Sequence, residues 1–106
     1  MKIQINTGHN IDGREAMTRH AESVVENALS HLAEHVTRVE VHVSDENNEK
    51  GGSGDKRCMM EARLEHHQPI AVTADAGSAH EAINDAAEKL KQALGHTIDR
   101  QKHRQN

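Results

Sequence analysis

Two histidines and a glutamate in the stretch HLAEH come nearest to a known catalytic spacing in this chain. His31, Glu34 and His35 have the H-x-x-E-H order of the inverted zinc peptidase motif. A catalytic zinc ion also needs a third protein ligand, an open position for water and a cleft that holds substrate. A chain this short has little left to build such a cleft. We therefore predict that both histidines lie near the end of a helix, where a protonated imidazole interacts favourably with the helix dipole.

Simple metal binding is an alternative for the histidines. The chain contains ten of them, and neutral imidazole is a common metal ligand. The candidate ligand pairs are His31 with His35, and the adjacent His66 with His67. The sequence leaves this alternative open, and no cofactor is predicted.

The single cysteine is a weak candidate for a nucleophile. Cys58 alternates with the inward side of a predicted strand, and no His or Asp pattern identifies a base for it. A small buried hydrophobic residue is the better interpretation. One cysteine forms no internal disulfide, which agrees with a reducing compartment. The glycines of GGSG lack the strand-to-helix context of a phosphate-binding loop. We predict no catalytic residue, and therefore no enzyme.

Positive charge is concentrated at the end of the chain. Residues 1–88 carry eight Lys or Arg against sixteen Asp or Glu, a net charge of −8, whereas residues 89–106 carry five against one, a net charge of +4. The five cationic residues are Lys89, Lys91, Arg100, Lys102 and Arg104. His96 and His103 add charge beside an anionic partner, because a phosphate favours the protonated imidazole. A solubilising helix end, stabilised by its own dipole, is the alternative interpretation.

Length and composition predict one small domain, residues 1–106. The chain has no Phe, Tyr or Trp, so Val, Ile, Leu, Met and Ala must build the core. No apolar run approaches the roughly 20 residues that span a bilayer, and no basic segment followed by an apolar one opens the chain. We expect a cytoplasmic protein with no membrane partner and no small-molecule substrate.

Hydrophobic periodicity predicts the first half of the fold. KIQINT alternates as a half-buried strand does, over residues 2–7. Asp12 and Glu15 have capping-box spacing, so a helix is predicted to start there and run to about His35. An apolar stripe at three- and four-residue steps supports it, with members Met17, Ala21, Val24, Val25, Ala28, Leu29, Leu32 and Val36. RVEVHVS is predicted as the second strand, with Val39, Val41 and Val43 in the core.

The second half follows the same logic. Residues 45–55 are charged and glycine-rich, which predicts a flexible loop. Residues 57–65 and 69–75 alternate as a hairpin around HHQP. A last helix is predicted from Ser78, with Glu81 completing a capping box and Gly95 weakening or ending it. Residues 96–106 are predicted as a basic tail that either prolongs the helix through Ile98 or frays.

The order βαβββα is typical of an α+β two-layer sandwich. Each helix has one apolar face and each strand one apolar side, which two helices on one face of a four-stranded mixed sheet satisfy. Strands joined through a helix are predicted parallel, and hairpin-linked strands antiparallel. The other sheet face stays solvated. Met59 falls on that face, and a homodimer through it is an accompanying prediction.

With these elements in order, the sequence resembles a known family. The opening MKIQINTGHNI, the helix AHEAINDAAEKLKQAL and the ending HTIDRQKHR are similar to the short ribosome hibernation-promoting factors and ribosome-associated inhibitor proteins of bacteria. The resemblance covers nearly the whole chain. It implies a fold similar to a double-stranded-RNA-binding domain. It also implies docking through rRNA on the small ribosomal subunit, where such factors block the tRNA and mRNA path and inhibit translation in idle ribosomes during stress or stationary phase.

The resemblance also implies RNA-binding residues. Lys89, Arg100 and Lys102 fall on basic positions of the family's last helix and tail, and His96 on a position where lysine is common. In the first helix, Ala28 and His31 stand where the family often has lysines, which makes His31 an additional candidate contact. Lys91 and Arg104 complete the predicted cationic surface.

A second hypothesis keeps the fold and changes the function. A non-enzymatic module that binds protein, or that responds to metal through His31 and His35, fits the same order of elements. Sensitivity of ribosome binding to salt distinguishes the two hypotheses, because phosphate contacts weaken as salt rises.

Overall fold

The computed structural model describes residues 1–8, 13–45 and 56–104, with side chains to Arg100. Within these ranges the chain forms four strands and two helices: β1 (Lys2–Thr7), α1 (Arg14–Ala28), a 3-10 turn (Ser30–Leu32), β2 (Val36–Asp45), β3 (Lys56–Leu64), β4 (Ile70–Ala76) and α2 (Ala79–Arg104). The predicted loop at 45–55 lies outside the described residues except for Asp45, which ends β2. No helix in the described part of the chain is long and apolar enough to span a bilayer.

The sheet has the predicted mixed topology. Its strand order is β1-β2-β3-β4, with β1 parallel to β2 and the remaining neighbours antiparallel. The parallel pair is joined through α1, as a crossover connection requires. Alternation places one side of every strand against the helices. Val39, Val41 and Val43 are buried there, and Met60 of β3 packs in the same core.

The first helix ends earlier than its apolar stripe predicts. The prediction of a helix to about His35 is wrong, because α1 stops at Ala28 and the 3-10 turn Ser30–Leu32 follows. Leu29 has φ −107° and ψ 12°, which takes the backbone out of the helix. Val36, the last member of the predicted stripe, instead opens β2. Tertiary packing decides here, since Leu29, Leu32 and Val36 are buried without continuing the helix.

The start of α1 is set by backbone geometry. Gly13, with φ 69° and ψ 41°, precedes Arg14, and no side chain from residues 1–8, 13–45 or 56–100 caps the helix. That left-handed conformation carries almost no steric cost in glycine. Asp12, the predicted capping residue, lies outside the described residues.

The last helix continues past Gly95, which is one of the two predicted alternatives, and it reaches beyond Ile98 to Arg104. Glu81 donates its backbone N–H to Ser78 Oγ at 3.2 Å, which confirms the predicted cap at the start of α2. The helix then passes through Gly95 without a break, and Ile98 is buried beyond it. The segment predicted as a basic tail therefore forms the last turns of α2 up to Arg104.

Candidate nucleic-acid interface

The C-terminal half of α2 carries most of the predicted RNA-binding residues. A buried stripe anchors the helix on the sheet, and its members are Ala82, Ile83, Ala86, Ala87, Leu90, Leu94 and Ile98. The positions between them face outward. Lys89, Lys91, His96 and Arg100 are all exposed. Lys102 and Arg104 belong to the last turns of the same helix.

These cations do not share one face of α2. Successive residues are rotated by about 100° in an α-helix, so Lys89 and Lys91 lie about 160° apart around the axis. His96 and Arg100 return to within about 20° of Lys89 on the same count. Lys89, His96 and Arg100 thus follow one flank of α2, and Lys91 lies on the other.

Lys89 already has a partner within the protein. Its Nζ donates to the backbone oxygen of Thr73 at 2.9 Å, which places its flank of α2 beside β4. In the described part of the chain β4 is the last strand of the sheet, and a lysine at its outer side helps to block pairing with another chain. Binding of Lys89 to phosphate must therefore compete with this hydrogen bond.

The histidines of HLAEH do not share a helical face. His31 is exposed in the 3-10 turn, and half-buried His35 follows it in the turn before β2. The motif relies on a helix to bring residues four apart onto one face. Since His31 and His35 are not in one helix, their spacing does not place the two side chains together. No three His, Cys, Asp or Glu side chains come together as metal ligands in the described ranges.

The thiol of Cys58 is held in its neutral form. Cys58 is fully buried in the core, as predicted. Desolvation by burial raises the pKa of the thiol to about 12. A thiolate is the nucleophilic form of cysteine, so this side chain packs as a small apolar group at neutral pH.

Strand register assembles a second group of cations that sequence analysis missed. Lys2 is the β-partner of Arg38, and Arg38 is the β-partner of Arg63, so three cations from three strands form one row on the open sheet face. We call Lys2, Arg38 and Arg63 the arginine row. In the sequence, each of these residues is simply a polar position in an alternating strand. Only the strand register places the three side by side.

Two carboxylates in the next row balance these charges. Glu40 Oε2 lies 3.7 Å from Arg38 Nε and 4.0 Å from Arg63 Nη2, and Glu61 Oε1 lies 3.7 Å from Arg63 Nη2. Arg38 also donates through Nη2 to Gln4 Oε1. Like charges directly opposite each other destabilise a sheet, so the glutamates offset the repulsion within the arginine row.

The start of one strand, the end of another and a turn lie close together beside the arginine row. Val36 pairs with Leu64, so the start of β2 adjoins the end of β3. Thr37 Oγ1 donates to the backbone oxygen of Arg63 at 3.1 Å across the same junction. The β3–β4 turn, with exposed His66 and His67, follows directly. The arginine row and the histidines of the β3–β4 turn therefore share one end of the sheet.

Comparison with solved structures supports the fold. The N-terminal domain of Protein Y from Thermus thermophilus superposes with a TM-score of 0.71 at 16% identity, covering 92% of this chain and 99% of that one. A ribosomal subunit interface protein from Coxiella burnetii superposes with a TM-score of 0.74, also at 16% identity, covering 93% and 99%. At this identity the likeness concerns the fold alone.

Comparison at the level of sequence identifies the family. No curated protein sequence matches this chain significantly. The sequence profile of the family described as "Sigma 54 modulation protein / S30EA ribosomal protein" matches residues 4–102, which is nearly the whole chain and includes both helices and all four strands apart from the ends. The chain is therefore a member of the sigma 54 modulation protein / S30EA ribosomal protein family.

Proposed function

We propose that this protein associates with the ribosome by binding rRNA of the small subunit, and that it inhibits translation during stress or stationary phase without catalysing a reaction. Family membership over residues 4–102 is the observation that carries this proposal. The similarity to a solved ribosomal subunit interface protein is consistent with it.

The charge distribution supports contact with RNA phosphates. The net charge of −4 does not prevent such contact, because phosphate binding depends on local potential. Exposed cations on α2, above all Lys91 and Arg100, lie in the part of the chain with a net charge of +4. Lys102 and Arg104 add two cations to the same helix.

The absence of aromatic residues limits how RNA is recognised. Single-stranded bases are commonly held by stacking on Phe, Tyr or Trp rings, and this chain has none. Stacking is then limited to His and Arg side chains, and we expect binding to rest chiefly on the RNA backbone and on the shape of folded RNA. We expect little sequence specificity and strong dependence on salt. Five phosphate contacts would give log affinity against log salt a slope of roughly −3.5 to −4.5.

Sedimentation of ribosomal particles from stationary cells tests the proposal. The protein should travel with the particles at low salt and leave them at high salt. The variant Lys91→Glu with Arg100→Glu should lose co-sedimentation. The control Arg14→Glu with Arg19→Glu makes the same change in net charge on α1, where both side chains are exposed, and should still co-sediment.

Three results would contradict the proposal. One is a wild-type protein that never sediments with ribosomal particles, even at low salt. Another is equal loss in both charge-reversal variants, which would show that net charge alone matters. The third is no inhibition of a purified translation reaction by excess protein. Particle binding that persists at high salt would favour the protein-binding hypothesis.

A further inference from the structure

Histidines gather at one end of the domain. β-pairing places Val36 opposite Leu64, so His35, just before β2, lies near Glu65 and the β3–β4 turn with His66 and His67. His31 belongs to the 3-10 turn that leads into the same junction. These residues are far apart in sequence, and the sheet brings them together.

The last helix adds another histidine to this end. Lys89 contacts Thr73, which is three residues after Ile70, the first residue of β4. His96 lies seven residues further along α2, about 10 Å at the helical rise, and three strand residues also span about 10 Å. His96 is therefore level with the start of β4 and the turn before it. We call His31, His35, His66, His67 and His96 the histidine end.

Formal charge at the histidine end is close to balanced when its imidazoles are neutral. The cations there are the arginine row and Arg100, and Lys102 and Arg104 follow on α2. The carboxylates at this end are Glu34, Glu40, Glu61, Glu65 and Asp99, and His42 Nε2 lies 3.9 Å from Glu40 Oε1. Five protonated imidazoles would make this end strongly cationic. Side chains of this type change charge between about pH 5 and 8.

The imidazoles are accessible to solvent and to a ligand. His31, His66, His67 and His96 are exposed, and His35 is half-buried. His67 Nδ1 donates to the backbone oxygen of Gln68 at 2.8 Å, so the lone pair of the neutral ring is on Nε2. His66 Nε2 lies 3.7 Å from Glu65 Oε1, and both side chains are largely exposed, so this pair is easily exchanged for a phosphate.

We infer that the histidine end is a phosphate-binding surface for RNA that works by taking up protons, so that the domain holds RNA more tightly as pH falls from 8 to 6. This inference rests on the proposed function, and it adds residues from the 3-10 turn and the β3–β4 turn to the surface. A phosphate beside an imidazole favours the protonated form. By linkage, RNA binding and proton uptake strengthen each other.

Affinity for a 16-base-pair RNA duplex at pH 8.0 and 6.0, at constant ionic strength, tests the inference. Wild-type protein should bind at least about tenfold more tightly at pH 6.0, since each imidazole whose pKa rises by one on binding contributes up to about tenfold. The variant His31→Gln, His66→Asn, His67→Gln, His96→Gln should match wild type at pH 8.0 and gain less than about threefold at pH 6.0. Asn replaces His66 because the backbone there has φ 61°, a left-handed conformation that Asn adopts more readily than Gln.

Matched histidines elsewhere provide the control. His20 and His80 lie outside the histidine end, and their replacement by Gln should leave the pH dependence unchanged. Far-UV circular dichroism at each pH checks that every variant is folded. NMR titration of wild-type imidazoles, free and with RNA, gives a second readout, in which RNA should raise the midpoints of His31, His66, His67 and His96.

The outcomes separate this inference from the proposed function. Tight RNA binding with equal affinity at both pH values overturns the inference alone. Equal pH dependence in the four-histidine variant and in wild type also overturns it. Failure to bind RNA at either pH in low salt overturns both the inference and the proposed rRNA contact.

Discussion

The imidazole rings of His20 and His80 stack across the two helices, with their centroids 4.2 Å apart and their planes inclined by 26°. His20 Nε2 lies 3.1 Å from Asn84 Oδ1 and donates to it. One histidine of α1 is thus held between two residues of α2 that are one turn apart. This contact ties the middle of α1 to the start of α2 at the protein surface.

We expect a measurable coupling between these two histidines. In a double-mutant cycle with His20→Ala and His80→Ala, the coupling free energy should be about 0.5–1 kcal/mol, because stacked rings gain roughly this amount beyond burial. Urea unfolding of the four proteins measures it. Additive single effects, with no coupling, would contradict the prediction.

Lys89 and Lys91 should behave differently when each is replaced by Met. Lys89→Met removes the hydrogen bond to Thr73 and should cost about 0.5–1 kcal/mol of stability, with a smaller effect on RNA binding. Lys91→Met should change stability by less than about 0.5 kcal/mol and lower the magnitude of the salt slope by about 0.7–0.9.

Denaturant unfolding and RNA titrations over a series of salt concentrations measure both effects. Each lysine serves as the control for the other, since the two changes remove the same charge from neighbouring turns. Equal salt slopes in the two variants would show that Lys89 releases Thr73 and contacts phosphate as freely as Lys91 does.

Glu40→Gln should destabilise the sheet through the arginine row. Without the Glu40 carboxylate, Arg38 and Arg63 oppose each other with only Glu61 to offset them. Glu40 also opposes Glu61 across β2 and β3, so relief of that repulsion offsets part of the effect. We expect a net loss of about 0.5–1 kcal/mol at low salt, which shrinks as salt is added because the charges are partly exposed. Thermal unfolding at several NaCl concentrations measures this. Glu65→Gln, at an exposed carboxylate in the β3–β4 turn, should change stability by less than about 0.5 kcal/mol.

Gly95→Ala should stabilise the protein. A Cβ atom at Gly95 meets nothing within 4 Å, and alanine is favoured over glycine inside a helix by about 1 kcal/mol. Gly13→Ala is the contrasting variant, because φ 69° at that position is strained for any residue with a Cβ atom. Chemical denaturation should therefore give changes of opposite sign. A destabilised Gly95→Ala protein would contradict the continuous helix through that position.

Burial of Cys58 predicts a loss of stability in alkali. Below about pH 8.5 the thiol is neutral in the folded and unfolded chains, so its contribution is fully present. Above that pH the unfolded thiol ionises, whereas the folded one, with a pKa of about 12, stays protonated, so stability falls as pH rises.

Between about pH 8.5 and 10, wild type should lose up to about 2 kcal/mol more than Cys58→Ala, which has no thiol to ionise. Guanidinium unfolding at each pH measures the difference. Iodoacetamide should label Cys58 only as fast as the domain unfolds. Rapid labelling of the folded protein would contradict the burial.

Most of the fold follows from local patterns in the sequence. Alternation identified β1, β2 and the β3–β4 hairpin, and Ser78 with Glu81 identified the start of α2. The end of α1 was missed, because Leu32 and Val36 keep helical spacing while they are buried by other elements. Hydrophobic periodicity reports which residues are buried, and it does not report where the backbone leaves the helix.

The candidate site was only partly predictable, for a different reason. Exposed cations on α2 could be found because they are close in sequence. The arginine row and the histidine end could not, since Lys2 with Arg63, and His35 with His66, become neighbours only through strand register. The flank of α2 on which His96 and Arg100 lie could be assigned only once the helix was seen to continue through Gly95. The RNA-binding roles themselves remain predictions.

The length of α2 has a consequence for how the molecule meets a polyanion. The domain is 53 Å long and only 23 Å by 19 Å across, and α2 carries Glu81, Asp85 and Glu88 toward its start and its cations toward its end. Glu81 and Arg100 are 19 residues apart, about 28 Å along the helix, which is several times the Debye length of about 8 Å at physiological salt. The protein therefore has an electric dipole along α2. In the field of a polyanion, this dipole rotates the molecule before the two surfaces make contact. RNA orients the protein so that the C-terminal end of α2 points toward the RNA surface. A small rise in ionic strength should therefore lower the association rate constant more than it weakens the contacts in the bound complex.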